Sequence, residues 1–258
     1  ADVSAKPRAN ISIPMIATLK KFLRRYGVNL CSTDHLGVDV EVDLQRMTAS
    51  EPLRTIFDVG GNFGQSALRF SKAFPSARIF TFEPVPESFR QLKANITDRR
   101  SITAFQHGFG DVAGSFPIQL QANPGANTLA GPRSSMGSVE IRLETLDSFV
   151  AEHGVHQVDL LKIDVEGYEL EVLKGASATL ARGAVRYVYA ECVFAPDPIE
   201  SHTDFFEMHR VLSQWGFSFV CSYTESFRLS DGCALCNTLY ALKSKLPATV
   251  TGRIRNIY

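Results

Sequence analysis

No stretch of the 258-residue chain approaches the roughly 18 apolar residues of a membrane-spanning helix. Residues 14–19 are too short for a signal-peptide core with its cleavage site, so the cytoplasm is the expected location. Charge of one sign is missing as well. Lys plus Arg number 27 and Asp plus Glu number 27, so no overall field would gather nucleic acid or an anionic membrane. The expected partner is a small or neutral molecule, with no nucleic acid and no membrane span; the sequence does not fix the oligomeric state. Cysteine is sparse: Cys31, Cys192, Cys221, Cys233 and Cys236 are odd in number and scattered, and read as reduced thiols. Cys233-x-x-Cys236 has no second pair, so it lacks the tetrad of a zinc site and reads as core. Tandem repeats and low-complexity tracts are absent too. The glycosylation sequon Asn95-Ile96-Thr97 is discounted because it falls at the end of a predicted helix.

What is present is 45% apolar residues and 21% charged ones, enough for one large domain with a sizeable core. Its organising stretch is Ile56-Phe57-Asp58-Val59-Gly60-Gly61-Asn62-Phe63-Gly64. Phe57 and Val59 favour extended backbone, and the glycines allow a tight loop that a ligand can approach closely. Phe63, Ala67, Phe70 and Phe74 then recur at helical spacing until Pro75. The unit is strand, glycine loop, helix. Its D-x-G-x-x-x-G pattern departs from the G-x-G-x-x-G of dinucleotide sites, which disfavours NAD and FAD. The next strand, residues 77–82, runs into Glu83-Pro84 and places a second carboxylate beside the loop. A carboxylate there can accept two hydrogen bonds from a ribose diol, so the pair suits S-adenosylmethionine.

The rest of the chain supplies strands and helices around this unit. Residues 1–12 read as a tail, and residues 13–26 as an amphipathic helix with a basic face that either caps the domain or lies on a membrane. Alternation at Val38, Val40 and Val42 predicts a small strand leading into a helix. Pro86 starts a helix carrying Phe89, Leu92 and Ile96. Residues 102–109 read as a third strand ending in Gly110-Asp111, where Asp111 either meets an adenine or caps its own turn. Two alternating segments, Phe116, Ile118, Leu120 and Val139, Ile141, Leu143, predict an inserted strand pair at about 115–145. The Gly/Pro/Asn/Ser-rich connection at 121–138 between them reads as a mobile acceptor-side lid. The apolar strand 158–163 ends in Asp164-Val165-Glu166-Gly167, with a helix over 168–175. Further strands are expected at 185–189, 217–223 and 238–242, with a helix over 202–215 and both C-x-x-C cysteines in the last loop.

Together FDVGGNFG, FEPVPESF, TLDSF and LLKIDVEGYELEVLKGA resemble the FkbM family of S-adenosylmethionine-dependent methyltransferases over roughly residues 30–242. The resemblance implies an α/β fold: a Rossmann-like class I methyltransferase sheet of seven strands, the last antiparallel, with helices on both faces. A tail and cap helix would occupy residues 1–50, and the S-adenosylmethionine-binding domain residues 51–258. The activity implied is O-methylation of a sugar, polyketide or other natural-product hydroxyl. By position, Asp58, Gly60, Gly61, Asn62 and Phe63 would cradle the methionine end, Glu83 with Pro84 the ribose, and Gly110 with Asp111 the adenine. Asp164 would lie beside the transferable methyl.

Methyl transfer to an alcohol needs an in-line arrangement and a base for the hydroxyl proton. Asp164, Glu191 and His202 are the candidate catalytic residues. Against this, Asp164 and Glu166 also suit helix N-terminal capping, and His202 suits an exposed loop. No metal is assigned, although Asp164 and Glu191 could hold magnesium against a diol. A catalytically inactive binding or scaffold protein is the alternative function, and a nicotinamide oxidoreductase is disfavoured by the loop pattern.

Overall fold

The computed structural model describes residues 35–120, 137–197, 202–228 and 232–246, with isolated positions 18, 21, 22, 129 and 199. The helix expected at 13–26 therefore lies outside the described residues, apart from Thr18, Lys21 and Phe22, which are helical. The connection expected at 121–138 likewise lies outside them, apart from Leu129, Gly137 and Ser138.

In chain order the elements are α1 (Val40–Met47), β1 (Thr55–Val59), α2 (Gln65–Ala73), β2 (Arg78–Phe82), α3 (Pro86–Asn95) and β3 (Ile102–Phe105). Next come β4 (Gly108–Phe109), β5 (Gly114–Gln119), β6 (Ser138–Glu144), α4 (Leu146–Glu152), β7 (Val158–Ile163), α5 (Glu169–Lys174) and α6 (Ser177–Ala181). The chain continues with β8 (Val185–Phe194), α7 (Phe205–Gln214), β9 (Phe217–Arg228), β10 (Cys233–Leu242) and a 3₁₀ turn. Seven strands form one sheet in the order β3-β2-β1-β7-β8-β10-β9. The first five pair in parallel, and β10, the last strand in the chain, runs antiparallel to both neighbours. This is the α/β architecture that the family resemblance implied.

Strands β1 and β7 are buried at every position, as expected for parallel strands covered on both faces. Alternation sorts their side chains between two cores. Phe57, Val59, Leu161 and Ile163 join Phe149, Val172, Leu180 and Leu212 on one face, so α4 to α7 cover that side. Ile56 and Leu160 join Leu44, Phe70 and Leu92 on the other, under α1 to α3. The order reverses between β1 and β7. In an open α/β sheet this switch point leaves a crevice at the carboxyl ends of the strands.

Three expectations need correction. Residues 38–42 form no strand: Val40 opens α1, capped by the Asp39 carboxylate, which accepts from the Val42 amide at 3.0 Å. Burial of Val40, Leu44 and Met47 along one helix face outweighs the extended preference of the valines. The third strand stops at Phe105; Gly108 and Phe109 instead pair with β6, and β5 completes a three-stranded sheet in the order β4-β6-β5. The break falls where the chain squeezes past Leu143 and Pro84, since a Cβ on Gly108 would lie 2.9 Å from the Leu143 Cδ2. Finally, Cys233 and Cys236 lie within β10 rather than in a loop, with Cys236 directly opposite Cys192 and their sulfurs 3.8 Å apart.

Candidate active site

The glycine loop is shaped first by the protein itself. Gly60 has φ +80°, and a Cβ there would lie 1.8 Å from the Asp164 carbonyl oxygen; at Gly61 it would lie 2.2 Å from the Thr81 hydroxyl. Both residues are glycine because β7 and β2 press against the loop, which brings three strand ends together. The Gly60 and Gly61 amides donate to the Phe82 carbonyl at 3.1 and 2.9 Å. The Asn62 amide donates to Glu83 Oε2 at 2.8 Å, with Asn62 itself in a left-handed conformation at φ 45°.

Glu83 is buried, and its other oxygen accepts from the Val85 amide at 2.8 Å. Burial pushes its pKa up to about 7, against the opposing pull of the Val85 and Asn62 amides and the Lys162 ammonium. The carboxyl lines a cleft of about 260 Å³ together with Val59, Gly60, Asn62 and Pro84. Gly108, Phe109 and the apolar side chains Val85, Ile118, Ile141 and Leu143 form one wall. Tyr168 packs against those apolar side chains, while Val165 and the grouped carboxylates of Asp164, Glu166 and Glu191 complete the lining as an acidic wall. A second, more polar chamber of about 270 Å³ shares Gly60, Asn62 and Asp164 and continues past Gln65, Ser66, Lys162 and Asn237.

Asp58 does not reach either space. It is wholly buried, and in register with Thr81 on β2 and Lys162 on β7. Thr81 donates to Asp58 Oδ2 at 2.9 Å, and the Lys162 ammonium lies 3.2 Å from Oδ1. Asp58, expected at the methionine end of the cofactor, thus has its partners inside the sheet. Lys162 also donates to the Gly60 carbonyl at 2.9 Å and pairs with Asp164 Oδ2 at 3.4 Å. Burial opposes its charge, but Asp58 and Asp164 outweigh that and hold the lysine above its ordinary pKa.

Asp164 is half-exposed and borders both chambers. Its carboxylate lies with those of Glu166 and Glu191 in a group in which one oxygen of each falls within 4.8 Å of the others. Such a triad can accept hydrogen bonds from hydroxyls, and it has the oxygen donors that hard divalent cations take. Of the remaining expected residues, Gly61 borders the second chamber, but Phe63 and His202 border neither; the Phe63 carbonyl accepts from the Asn95 side chain instead. Gly110 and Asp111 are also displaced: Gly110 packs on Gly175, where a Cβ would sit 1.9 Å from the Gly110 oxygen, and Asp111 is exposed. The break after Phe105 moves the cleft edge back to Gly108 and Phe109.

Two contributors were missed by the sequence reading. Lys162 is a lysine inside a buried strand whose only other polar residue is Asp159, which was a readable signal. Glu169, buried in the first turn of α5, accepts from the Val165 and Gly167 amides at 3.0 and 3.2 Å and from the Thr203 hydroxyl at 2.5 Å.

An open sheet with a glycine loop, a carboxylate after the second strand and an acidic wall after β7 defines a class I S-adenosylmethionine-dependent methyltransferase. The chain belongs to the FkbM methyltransferase family, matching the Methyltransferase FkbM domain over residues 58–219. It is 32% identical to the hexuronic acid methyltransferase AglP of Haloferax volcanii over 192 residues, covering 73% of this chain and 78% of that protein. It is 30% identical to methyltransferase sdnD of Sordaria araneosa, covering 46% of this chain and 59% of that one. With the 2-O-methyltransferase NoeI of Sinorhizobium fredii it shares 26% identity over 55% of this chain and 64% of the relative. Among the described residues no helix is long and apolar enough to cross a membrane.

Proposed function

We propose that the chain transfers a methyl group from S-adenosylmethionine to a hydroxyl of a polyhydroxylated acceptor, a sugar or a sugar-like natural product. The observation that carries this reading is the convergence of Asp164, Glu166 and Glu191 on the same cleft as Glu83. One relative named for a hexuronic acid supports a sugar-like acceptor, and one named as a 2-O-methyltransferase supports oxygen as the methylated atom.

The residues fit the cofactor. Gly60 and Asn62 would hold its amino-acid end, Glu83 its ribose hydroxyls, and Val85, Gly108 and Phe109 its base. Bound there, S-adenosylmethionine supplies an electrophilic methyl on a sulfonium. The chain must then hold the acceptor oxygen in line and take its proton. Asp164 is the residue for the proton, because it stands where the glycine loop meets the acidic wall. Glu166 and Glu191 would accept bonds from neighbouring hydroxyls. Three carboxylates so close repel an anion, so any carboxylate of the acceptor points away from them and a neutral diol faces them.

The test incubates the full chain with methyl-labelled S-adenosylmethionine and either p-nitrophenyl β-D-glucuronide or p-nitrophenyl β-D-glucoside. Label is expected on a ring hydroxyl. Binding of S-adenosylhomocysteine without transfer to these or to a wider panel of hydroxyl acceptors would point to a scaffold instead. Loss of transfer in EDTA, restored by magnesium, would assign the triad to a cation.

A further inference from the structure

We infer that Glu169 and Thr203 form a tie that positions the acidic wall for the acceptor, an inference that rests on the hydroxyl-methylating reading above. The three wall carboxylates come from two neighbouring strands, just past the last pair of their ladder, Ile163 with Ala190: Asp164 and Glu166 from the turn after β7, and Glu191 from near the end of β8. Like charges within 4.8 Å push one another apart, so the backbone that carries them has to be held.

The turn after β7 is not self-supporting. Glu166 has φ 57° and Gly167 φ 95°, so a residue with a full side chain sits in left-handed backbone beside a glycine that does the same. Conformations of this kind persist where surrounding structure over-determines them. Here Glu169 Oε1 accepts from Val165 and Gly167, the amides on either side of Glu166. Its Oε2 accepts from the Thr203 hydroxyl at 2.5 Å. Thr203 is buried, and its carbonyl accepts from the Val193 amide at 2.9 Å, while Asp204 bridges to Val193. Val193 lies two residues beyond Glu191 on the same strand. One carboxylate therefore joins the segment carrying Asp164 and Glu166 to the one carrying Glu191. Glu169 and Thr203 are absent from the lining of the cleft, so they act through the wall residues and are positioning residues.

The discriminating variants are Thr203→Val, which removes the hydroxyl at nearly constant volume, and Thr203→Ser, which keeps it. In Thr203→Val, amide hydrogen exchange of the peptide spanning 164–168 should quicken at least tenfold. Turnover of p-nitrophenyl β-D-glucuronide should fall at least tenfold, and the dissociation constant for S-adenosylhomocysteine should stay within twofold. Thr203→Ser should restore both exchange and turnover. Unchanged exchange in Thr203→Val, turnover within twofold of the parent, or a parallel loss of S-adenosylhomocysteine affinity would each overturn the tie. If the parent protein transfers no methyl to any hydroxyl acceptor, the proposed function fails, and the exchange comparison alone then decides the tie.

Discussion

At the residue scale the most informative group is Glu83. Its carboxyl is buried at the cleft with its pKa pushed up to about 7, above the ordinary glutamate value. An acid raised on folding costs stability as pH rises: the contribution is absent below about 4.5, where folded and unfolded forms are both protonated, and is fully developed above about 7. Cofactor binding should run the other way, because a ribose diol donates to the ionised form. Affinity for S-adenosylhomocysteine should therefore rise between pH 6 and 8 and level off above. Glu83→Gln should flatten that profile, and Glu83→Ala should weaken binding at pH 8 by roughly 1–3 kcal/mol. Calorimetry at several pH values checks both, and a flat profile in the parent protein would remove Glu83 from the ribose. Asp164 separates two roles just as cleanly. Asp164→Asn keeps size and polarity but not basicity, so turnover should drop by about 10²-fold or more while cofactor affinity barely moves. Turnover within a few-fold of the parent would leave Asp164 no part in proton transfer.

These residues were legible because each follows a strand in the chain, and strand ends of an open sheet converge on one crevice. Lys162 stood out only as a charge in a buried strand, and its partners, like those of Glu169 and Thr203, were not legible because they lie far along the sequence: Lys162 reaches Gly60 across 102 residues and Glu169 reaches Thr203 across 34. Local pattern carries no record of such pairings. Glu169 in particular reads as an ordinary acid in a first helical turn.

At the scale of elements, periodicity located the parallel strands and most helices, and it failed where tertiary packing overrode it. The valines at 38–42 alternate like a strand, but Asp39 caps a helix whose apolar face is buried under the sheet. The third strand was read too long because local pattern does not show the point where Gly108 leaves one sheet for another. That break also leaves Gly110 and Asp111 outside the cleft lining. The glycine loop was read correctly as a loop, but its glycines answer to neighbouring strands as well as to a ligand, and the two can be ranked. Gly60→Ala would need a left-handed alanine and a Cβ 1.8 Å from the Asp164 backbone oxygen, with no side chain to move aside. Gly61 lacks the positive φ, and its nearest neighbour is the Thr81 hydroxyl, which can rotate at the expense of its bond to Asp58. Gly60→Ala should thus cost on the order of 3–5 kcal/mol and Gly61→Ala about half that, read as denaturant midpoints. Equal losses would contradict the steric account.

For the whole molecule the decisive place is the seam between β1 and β7, where the sheet changes direction and both halves meet the site. The seven-stranded sheet with its antiparallel last strand was legible from the family resemblance, whereas the buried charge at the seam was not, since an aspartate before a glycine loop reads as a ligand contact. In the structure Asp58 is shut inside the sheet, with Lys162 at 3.2 Å from the facing strand. A buried pair of this kind adds little net stability over apolar residues of the same shape, yet removing one partner leaves a charge in a poor solvent. Lys162→Met should therefore destabilise the fold by about 3–5 kcal/mol. Asp58→Asn placed on that background should recover part of the loss, because the stranded charge is gone and an amide can still accept from Thr81. Recovery of stability need not restore activity. Without the ammonium the Gly60 carbonyl and Asp164 lose the group that links them, so the double variant should refold well and bind S-adenosylhomocysteine more weakly than the parent. Urea denaturation of the two single variants and the double variant, with a calorimetric titration of each, reads both quantities. If the two substitutions simply add in stability, the pair does not act as a unit; if the double variant binds like the parent, Lys162 serves the seam alone and the site owes it nothing.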